Sequence, residues 1–284
     1  MDVMGIDRNH CTIGETEHPF TINFSRDDVR ITTHYHADMV ASSLFSVIHE
    51  GGHALYELHT GRELARSNLG TGVSMGIHES QSRFYENIIG RSRAFCSIIY
   101  PWLKEHFAPR LDHVTEDDFY RMINKSEPSL IRTEADELTY CLHIMVRYEL
   151  EKRMFDGSLT AHDLPAEWNR LYKEYLGIDV PDDRQGVLQD SHWANGNIGY
   201  FPSYAIGSAY GAQYLQEMSK DLDVDAVVRS GDLTPINNWL EDRIWKHGCM
   251  KDPVALFESV CGKFDPACYV AYLEKKFTEV YGLS

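Results

Sequence analysis

The chain has 284 residues, of which 43% are hydrophobic and 25% are charged. This composition is that of an ordinary folded protein and excludes a disordered or fibrous one. The formal net charge of −16 argues against binding to nucleic acid or to an anionic membrane, since both require a basic surface. No apolar run approaches the ~20 residues of a membrane span.

Compartment and domain organisation can be inferred from three further features of the sequence. Residues 1–18 carry neither the basic start nor the apolar stretch of a signal peptide. The six cysteines include no CxxC pair, so we expect reduced thiols and a cytoplasmic protein. No repeat or low-complexity linker divides the sequence, and we expect residues 1–284 to form a single domain.

The strand signal is confined to the N-terminal part of the chain. Residues 18–24 and 29–35 are rich in β-branched and aromatic side chains that partly alternate with polar ones. The turn-like sequence SRDD lies between them. This pattern predicts a β-hairpin.

Most of the remaining sequence has helical periodicity. Residues 39–60 carry apolar side chains at helical spacing and stop before Gly61. Residues 75–95 form a second such stretch, and Pro101 is expected to break or bend the segment after it. We therefore expect a mainly α fold with a small hairpin or sheet near the N-terminus. Further helices are predicted at residues 163–176, 204–220, 235–246 and 266–281.

Two capping boxes are predicted in the middle of the chain. Thr115 and Asp118 precede the apolar run FYRMI, and Thr133 and Asp136 precede a periodic segment that ends near residue 157. A Ser or Thr followed three residues later by an acidic side chain is typical of a helix start. We therefore expect a helix to begin at each pair.

The segment His49-Glu50-Gly51-Gly52-His53 is the strongest chemical signal in the sequence. Residues four apart on a helix face the same side, so both imidazoles can bind one metal ion, and zinc favours such nitrogen ligands. Glu50 lies beside the ligand face, where it can take a proton from a metal-bound water. Gly51 and Gly52 each cost the helix ~1 kcal/mol relative to alanine, which predicts the close approach of another element or of substrate.

A catalytic zinc site requires a third protein ligand and an open fourth position. Glu79 is the candidate, in the HESQ segment that opens the next helical stretch. His78 is the competing ligand, and its alternative role is to contact a ligand or the substrate. Hydrogen-bond partners for His49 and His53 must exist, but the sequence does not identify them.

Six segments in order resemble the M32 metallocarboxypeptidases, the thermostable carboxypeptidase 1 or Taq-type family. They are HPF (18–20), DVRIT (28–32), HEGGH (49–53), HESQ (78–81), IRTEAD (131–136) and GVLQDSHW (186–193). The chain is similar to the carboxy-terminal part of a family member from about residue 15 onward. The resemblance implies a helical zincin-type fold, similar to the neurolysin and angiotensin-converting-enzyme group, with residues 1–284 as a single catalytic domain.

The resemblance also implies a site, a cofactor and an assembly. The metal ligands become His49, His53 and Glu79, with Glu50 as the general base and Zn²⁺ or Co²⁺ as the metal. Family members are typically dimers, so we expect a homodimer that acts on peptides with a free C-terminus. The long helical N-terminal region of the family has no counterpart here, which implies a fragment, a truncated gene product or one half of a split enzyme.

A carboxypeptidase must bind a terminal carboxylate, and a guanidinium can do so with two hydrogen bonds. Arg132, in the IRTEAD segment, is the candidate, and the alternative is a structural ion pair between Arg132 and Asp136. Residues 177–203 are rich in Gly, Asp, Asn and Pro, which predicts a long functional loop.

His192 and Tyr204 are the candidates for stabilising negative charge on the substrate carbonyl oxygen. The related neurolysin group has a similar His-to-Tyr spacing. Tyr200 is the alternative and is assigned to substrate binding.

The sequence therefore predicts a zinc-dependent carboxypeptidase that releases C-terminal amino acids from peptides. Two alternatives stay open. One is an oligoendopeptidase with the same chemistry, and the other is a metal-binding but inactive fragment that needs a missing N-terminal partner.

Overall fold

A computed structural model describes residues 1–283. The chain forms two compact units. The first unit is Met1–Ile123 with Gly207–Ser284, and the second is Asn124–Ile206. That residues 1–284 act together as a single catalytic domain stays a prediction.

The sheet lies in the first unit and has three strands: β1 (Cys11–Glu15), β2 (Thr21–Ser25) and β3 (Asp28–Thr33). The strands β2 and β3 are antiparallel, which confirms the predicted hairpin. The strand β1 was not predicted, because it is short and pairs in parallel with β3 without a hairpin turn. The strand order β1-β3-β2 leaves β2 at one edge.

The mainly α fold with a small N-terminal sheet is confirmed. Eleven α-helices lie within residues 1–283: α1 (Val40–Leu58), α2 (Met75–Arg83), α3 (Arg93–His106), α4 (Glu116–Ile123), α5 (Tyr140–Phe155), α6 (Leu164–Leu176), α7 (Pro202–Met218), α8 (Val224–Ser230), α9 (Thr234–Arg243), α10 (Pro253–Cys261) and α11 (Ala267–Tyr281). None of them is both long enough and apolar enough to cross a membrane.

The predicted helices agree with the structure in most places. The helices α1, α6, α7 and α11 match predicted ranges within two residues at each end, and the stretch between α6 and α7 is non-helical as expected. The helix α9 ends at Arg243, and a 3₁₀ turn replaces the predicted last residues. The short helices α8 and α10 were not predicted, although Asp223 and Asp252 cap their first turns.

The predicted helical stretch over residues 75–95 is confirmed as far as Ile89 and is wrong at residues 90–92, where the helix is interrupted. The helix α2 passes into a π-helical segment, Phe84–Ile89, and α3 then begins afresh behind Ser92, whose hydroxyl accepts the backbone N–H of Phe95. Of the break or bend expected at Pro101, the break is wrong, because α3 continues to His106, and the bend stays a prediction. Pro101 lies on the exposed side of α3, where water can bind the backbone carbonyl that proline leaves without a partner.

One predicted capping box is confirmed and the other is wrong. Thr115 and Asp118 exchange hydrogen bonds between side chain and backbone at the start of α4. Thr133 lies in a 3₁₀ turn instead. The carboxylate of Asp136 accepts the backbone N–H groups of Leu138 and Thr139, so it caps the next turn and delays the start of α5.

Each unit has its own apolar core. In the first unit, α1 packs against α2, β2 and β3. The second unit is built around α5 and α6, which contact each other through buried side chains that include Leu150, Trp168 and Tyr172. All six cysteines are free thiols, as predicted.

Candidate metal site and arginine cluster

The two glycines of the HEGGH segment lie where other elements touch α1. A Cβ atom on Gly52 would lie 2.6 Å from the backbone oxygen of Gln81 and 2.7 Å from Cα of Ser82. A Cβ atom on Gly51 would lie 2.8 Å from the side chain of Met4. The predicted close approach is therefore confirmed, and it brings the backbone of α2 against the turn that separates the two histidines of α1.

This contact brings the three predicted metal ligands together. One ligand atom from each of His49, His53 and Glu79 lies within 4.8 Å of the others. Oε2 of Glu79 is 3.4 Å from Nε2 of His53 and 3.8 Å from Nε2 of His49. A further helix closes against Glu79, because a Cβ atom on Gly207 would lie 2.8 Å from it. Two imidazole nitrogens and one carboxylate oxygen form a donor set that suits a divalent metal ion.

The carboxylate of Glu86 contacts Nδ1 of His49, the ring nitrogen on the side away from Glu79. Oε2 of Glu86 lies 2.8 Å from Nδ1 of His49, and Glu86 also pairs with Arg83 and Arg91. Burial alone would lower the pKa of His49, but the charges of Glu79 and Glu86 outweigh it and raise that pKa to about 9. Metal binding must therefore displace a proton from His49.

His78 does not join the ligand set. Its Nδ1 lies 2.9 Å from Nδ1 of His53, and its Nε2 lies 2.5 Å from Oε1 of Glu57. Glu57 is 3% exposed. Burial would raise the pKa of Glu57, but His78 and the surrounding N–H and O–H donors hold it below the usual value, so the carboxylate stays charged.

The carboxylate of Glu50 faces the edge strand of the sheet. The hydroxyl of Thr21 on β2 lies 2.6 Å from Oε2 of Glu50 and 3.1 Å from its backbone oxygen. Two residues along the same strand, Nδ2 of Asn23 donates to Glu57 at 2.7 Å. One face of β2 therefore supports two carboxylates of α1.

The second unit contains the arginine cluster, which we define as Arg132, Arg147 and Asp190. Nε and Nη2 of Arg132 lie 2.9 and 2.8 Å from Oδ1 of Asp190. Nε and Nη2 of Arg147 lie 2.7 and 2.5 Å from Oδ2. Arg147 is fully buried and Arg132 is 7% exposed. The alternative ion pair of Arg132 with Asp136 is replaced by this one, because Asp136 caps the turn before α5.

The predicted polar pair, His192 in the long loop and Tyr204 in the first turn of α7, is also present in the second unit. Nε2 of His192 lies 2.9 Å from the hydroxyl oxygen of Tyr204. The ring of Tyr200 packs edge-on against the ring of Tyr204 at 5.3 Å between centroids. The guanidinium of Arg132 lies 4.9 Å from the centre of the Tyr204 ring. These four side chains form one neighbourhood, and their roles in binding or catalysis stay predictions.

Sequence reasoning missed the residues that support the site. Thr21 and Asp190 lie beside or within the six family segments, so those segments were the available signal. Glu57 and Glu86 had no signal of their own, because each meets its histidine partner across 21 and 37 residues of sequence.

Comparison with known proteins identifies the family of the chain. Residues 1–277 match the family model described as Carboxypeptidase Taq (M32) metallopeptidase. Carboxypeptidase 1 of Bacillus subtilis is 44% identical over 280 residues, which are 98% of this chain and 56% of that protein. Thermostable carboxypeptidase 1 of Thermus thermophilus is 42% identical over 284 residues, 99% of this chain and 56% of that protein.

Solved structures agree with the sequence comparison. The M32 carboxypeptidase from Deinococcus radiodurans R1 superposes with a TM-score of 0.96 at 39% identity, over 99% of this chain and 58% of that one. A carboxypeptidase from Pyrococcus furiosus superposes with a TM-score of 0.95 at 40% identity, over 97% of this chain and 56% of that one. The chain spans about half the length of the relatives it matches. It belongs to the M32 (Taq-type) metallocarboxypeptidase family.

Proposed function

We propose that residues 1–284 act as a single catalytic domain of a metal-dependent carboxypeptidase that releases C-terminal amino acids from peptides. The observation that carries this proposal is the convergence of His49, His53 and Glu79, with the carboxylate of Glu50 one residue from a ligand. Membership in the M32 family supports the same chemistry. The names of the relatives support the choice of peptides as substrates.

The donor set supports Zn²⁺ as the metal, with Co²⁺ as the alternative, because both bind imidazole nitrogen and carboxylate oxygen. When bound, the metal acts as a Lewis acid that polarises the scissile carbonyl and acidifies water. His49 and His53 would bind it through Nε2, since their Nδ1 atoms face Glu86 and His78. Glu79 supplies the carboxylate ligand.

Glu50 is the proposed general base. Its carboxylate takes a proton from the attacking water and later passes that proton to the leaving amine, as a general base and acid can do in one hydrolytic cycle. The hydroxyl of Thr21 donates to Glu50 Oε2. This bond holds one carboxylate oxygen in place, and the second oxygen is the one proposed to take the proton.

Arg132 is the proposed partner of the substrate carboxylate. Its bonds to Asp190 and to the hydroxyl of Tyr140 use three N–H groups, and a guanidinium has five. Two N–H groups then serve a carboxylate, as charge-assisted hydrogen bonds. His192 and Tyr204 are proposed to donate to the substrate carbonyl oxygen as charge develops there, and Tyr200 is proposed to contact the substrate.

We also propose a cytoplasmic homodimer. The free thiols support a reducing compartment. The edge strand β2 and the residue before it expose Phe20, Ile22 and Phe24. These alternate residues form an apolar stripe on the outer face of β2, and exposed apolar surface of this kind favours association.

The experiment combines metal analysis, light scattering and peptide hydrolysis on the chain purified without chelator. Metal analysis should find one divalent ion per chain, which is lost in His53→Ala and kept in the exposed control His162→Ala. Light scattering should give the mass of a dimer. A peptide with a free C-terminus should be trimmed stepwise. The same peptide amidated at its C-terminus should react roughly 10–100-fold more slowly, because a charge-assisted contact worth ~1.5–3 kcal/mol is lost.

Each other outcome identifies an alternative. Equal cleavage of both peptides at internal bonds would replace the carboxypeptidase by an oligoendopeptidase. Full metal content without cleavage of either peptide would favour an incomplete catalytic unit that needs a partner. Full metal content in His53→Ala would contradict the ligand assignment itself.

A further inference from the structure

The two ligand histidines are held by different kinds of partner. Nδ1 of His49 meets the carboxylate of Glu86 directly, at 2.8 Å. Nδ1 of His53 meets a second imidazole, that of His78, and only His78 reaches a carboxylate, that of Glu57. The His53 side therefore has one more group between the ligand and the negative charge.

The hydrogen-bond polarity of this chain of groups is fixed by its two ends. Glu57 is a charged acceptor, so Nε2 of His78 must donate to it. An imidazole that donates through one ring nitrogen can accept through the other, so we assign Nδ1 of His78 as the acceptor of the N–H of His53 Nδ1. That proton leaves Nε2 of His53 as the unprotonated nitrogen, which is the form a metal ion requires.

Glu57 is itself held by several donors. Oε1 accepts the backbone N–H of Gly72 at 3.0 Å and lies 2.9 Å from the hydroxyl of Thr71. Oε2 accepts Nδ2 of Asn23 at 2.7 Å. These contacts come from the loop before α2 and from β2, so Glu57 is fixed independently of His53 and His78.

The loop before α2 is shaped around the ring of His78. A Cβ atom on Gly72 would lie 2.7 Å from Nε2 of His78 and 2.7 Å from Cε1 of Tyr56. Ser74, which caps α2, has a φ of 52°, a conformation that costs a non-glycine residue free energy. The strained backbone of Ser74 and the lack of space at Gly72 both indicate that the loop holds the His78 ring in one position.

We propose that Glu57 and His78 are positioning residues that fix the tautomer and ring orientation of His53 and so set the metal affinity of the site. The proposal rests on the ligand assignment made above. It adds that His78 is needed as a polar bridge, neither as a ligand nor as a filler of space. Partners of this kind typically change metal affinity 10–100-fold when removed.

Two substitutions at His78 separate a polar bridge from a space filler. In His78→Leu an apolar side chain fills a similar volume, but it neither accepts a hydrogen bond from His53 nor donates one to Glu57. His78→Gln can accept through its amide oxygen and donate through its amide nitrogen, in the same polarity as the imidazole. We expect Zn²⁺ affinity, measured by competition with a chelator, to fall ~10–100-fold in His78→Leu and to be largely retained in His78→Gln.

Gly72→Ala tests the position of the ring without removing a polar group. The added methyl must displace the His78 imidazole, so we expect weaker Zn²⁺ binding and a changed visible absorption spectrum of the Co²⁺-loaded protein. His59→Leu is the matched control, because His59 lies just after α1 and contacts the backbone of that helix, the ring of Trp245 and the carboxylate of Glu241. Its Zn²⁺ affinity should equal that of the wild type, whatever its effect on the melting temperature of the metal-free chain.

The proposal is overturned if His78→Leu binds Zn²⁺ as tightly as the wild type, or if His78→Leu and His78→Gln are equally weak. It is also overturned if His59→Leu loses as much affinity as His78→Leu, since affinity would then follow fold stability alone. A wild-type chain that binds Zn²⁺ but cleaves no peptide contradicts the proposed function and leaves this comparison of affinities intact. A wild-type chain that binds no metal removes both proposals.

Discussion

The candidate metal site of the first unit and the arginine cluster of the second are both buried, but they carry opposite charge. Carboxylates outnumber arginines around the ligand histidines: Glu50, Glu57, Glu79 and Glu86 lie there with Arg83 and Arg91. In the arginine cluster, two guanidinium groups share the carboxylate of Asp190. Buried charge is costly unless a partner of opposite sign binds it. The first site therefore suits a cation, and the second suits an anion.

Replacing Glu50 by Gln should have the largest effect on this division of roles. The amide keeps the size of the side chain and an acceptor for Thr21, but it cannot take a proton from water. We expect hydrolysis to fall ~10²–10⁴-fold, the usual span for a general base, with the metal content unchanged. Steady-state kinetics and metal analysis on the same samples measure both.

Glu105→Gln, at an exposed position of α3, is the matched control and should retain full activity. Loss of metal in Glu50→Gln would make Glu50 part of the ligand set. Retained hydrolysis with bound metal would move the general base to another residue.

The two sites differ in how much of them the sequence could predict. The candidate metal site is predictable from local spacing, because His49 and His53 are one helical turn apart and the glycines between them indicate where α2 approaches. Glu79 is on the next helix, so its place was predictable once the helix pair was recognised. The supports of the site come from non-local contacts that no periodicity reports, such as the bond from Thr21 to Glu50 across 29 residues.

The arginine cluster is assembled over longer distances in the sequence. Asp190 meets Arg147 across 43 residues and Arg132 across 58. Asp136, the acidic residue that local spacing favours as the partner of Arg132, is used by the turn before α5. Local spacing fails to predict the ion pair because the nearer carboxylate, that of Asp136, already accepts backbone N–H groups. The guanidinium of Arg132 pairs with Asp190 instead, which is distant in the sequence.

Replacing Arg132 by Ala should have the next largest effect, and it tests the anionic ligand. In the wild type we expect the free-carboxyl peptide to be favoured roughly 10–100-fold over its amide. In Arg132→Ala the ratio of the two kcat/KM values should approach one, while metal content stays unchanged. Arg170→Ala is the control, since Arg170 is an exposed residue of α6 that pairs with Glu167 and Glu174. An unchanged ratio in Arg132→Ala would assign Arg132 to the ion pair with Asp190 alone.

The smallest predicted effect is on the pH dependence of the free energy of unfolding. It arises from His143, a histidine next to the positive charge of the arginine cluster. His143 on α5 is fully buried, and its Nδ1 lies 3.1 Å from the hydroxyl of Tyr172. Its Nε2 has no hydrogen-bond partner within residues 1–283. Burial lowers the pKa of His143 to about 3, with further lowering by Arg147 and Arg132. The folded chain therefore keeps this imidazole neutral down to about pH 3.

This lowered pKa predicts a stability cost at acid pH. Between pH 6.5 and about 3 the unfolded chain binds a proton at residue 143 that the folded chain does not. The free energy of unfolding should therefore fall by about 1.4 kcal/mol for each pH unit below 6.5 from this group alone. His143→Leu removes this contribution, so the difference between wild type and variant should shrink or change sign as the pH falls. Urea unfolding of the metal-free proteins from pH 7 to 4.5 measures it, with the exposed His162→Leu as the control whose profile runs parallel to that of the wild type. If the profile of His143→Leu also runs parallel to that of the wild type, His143 is protonated in the folded chain. The surplus positive charge of the arginine cluster would then be compensated by carboxylates outside Arg132, Arg147 and Asp190.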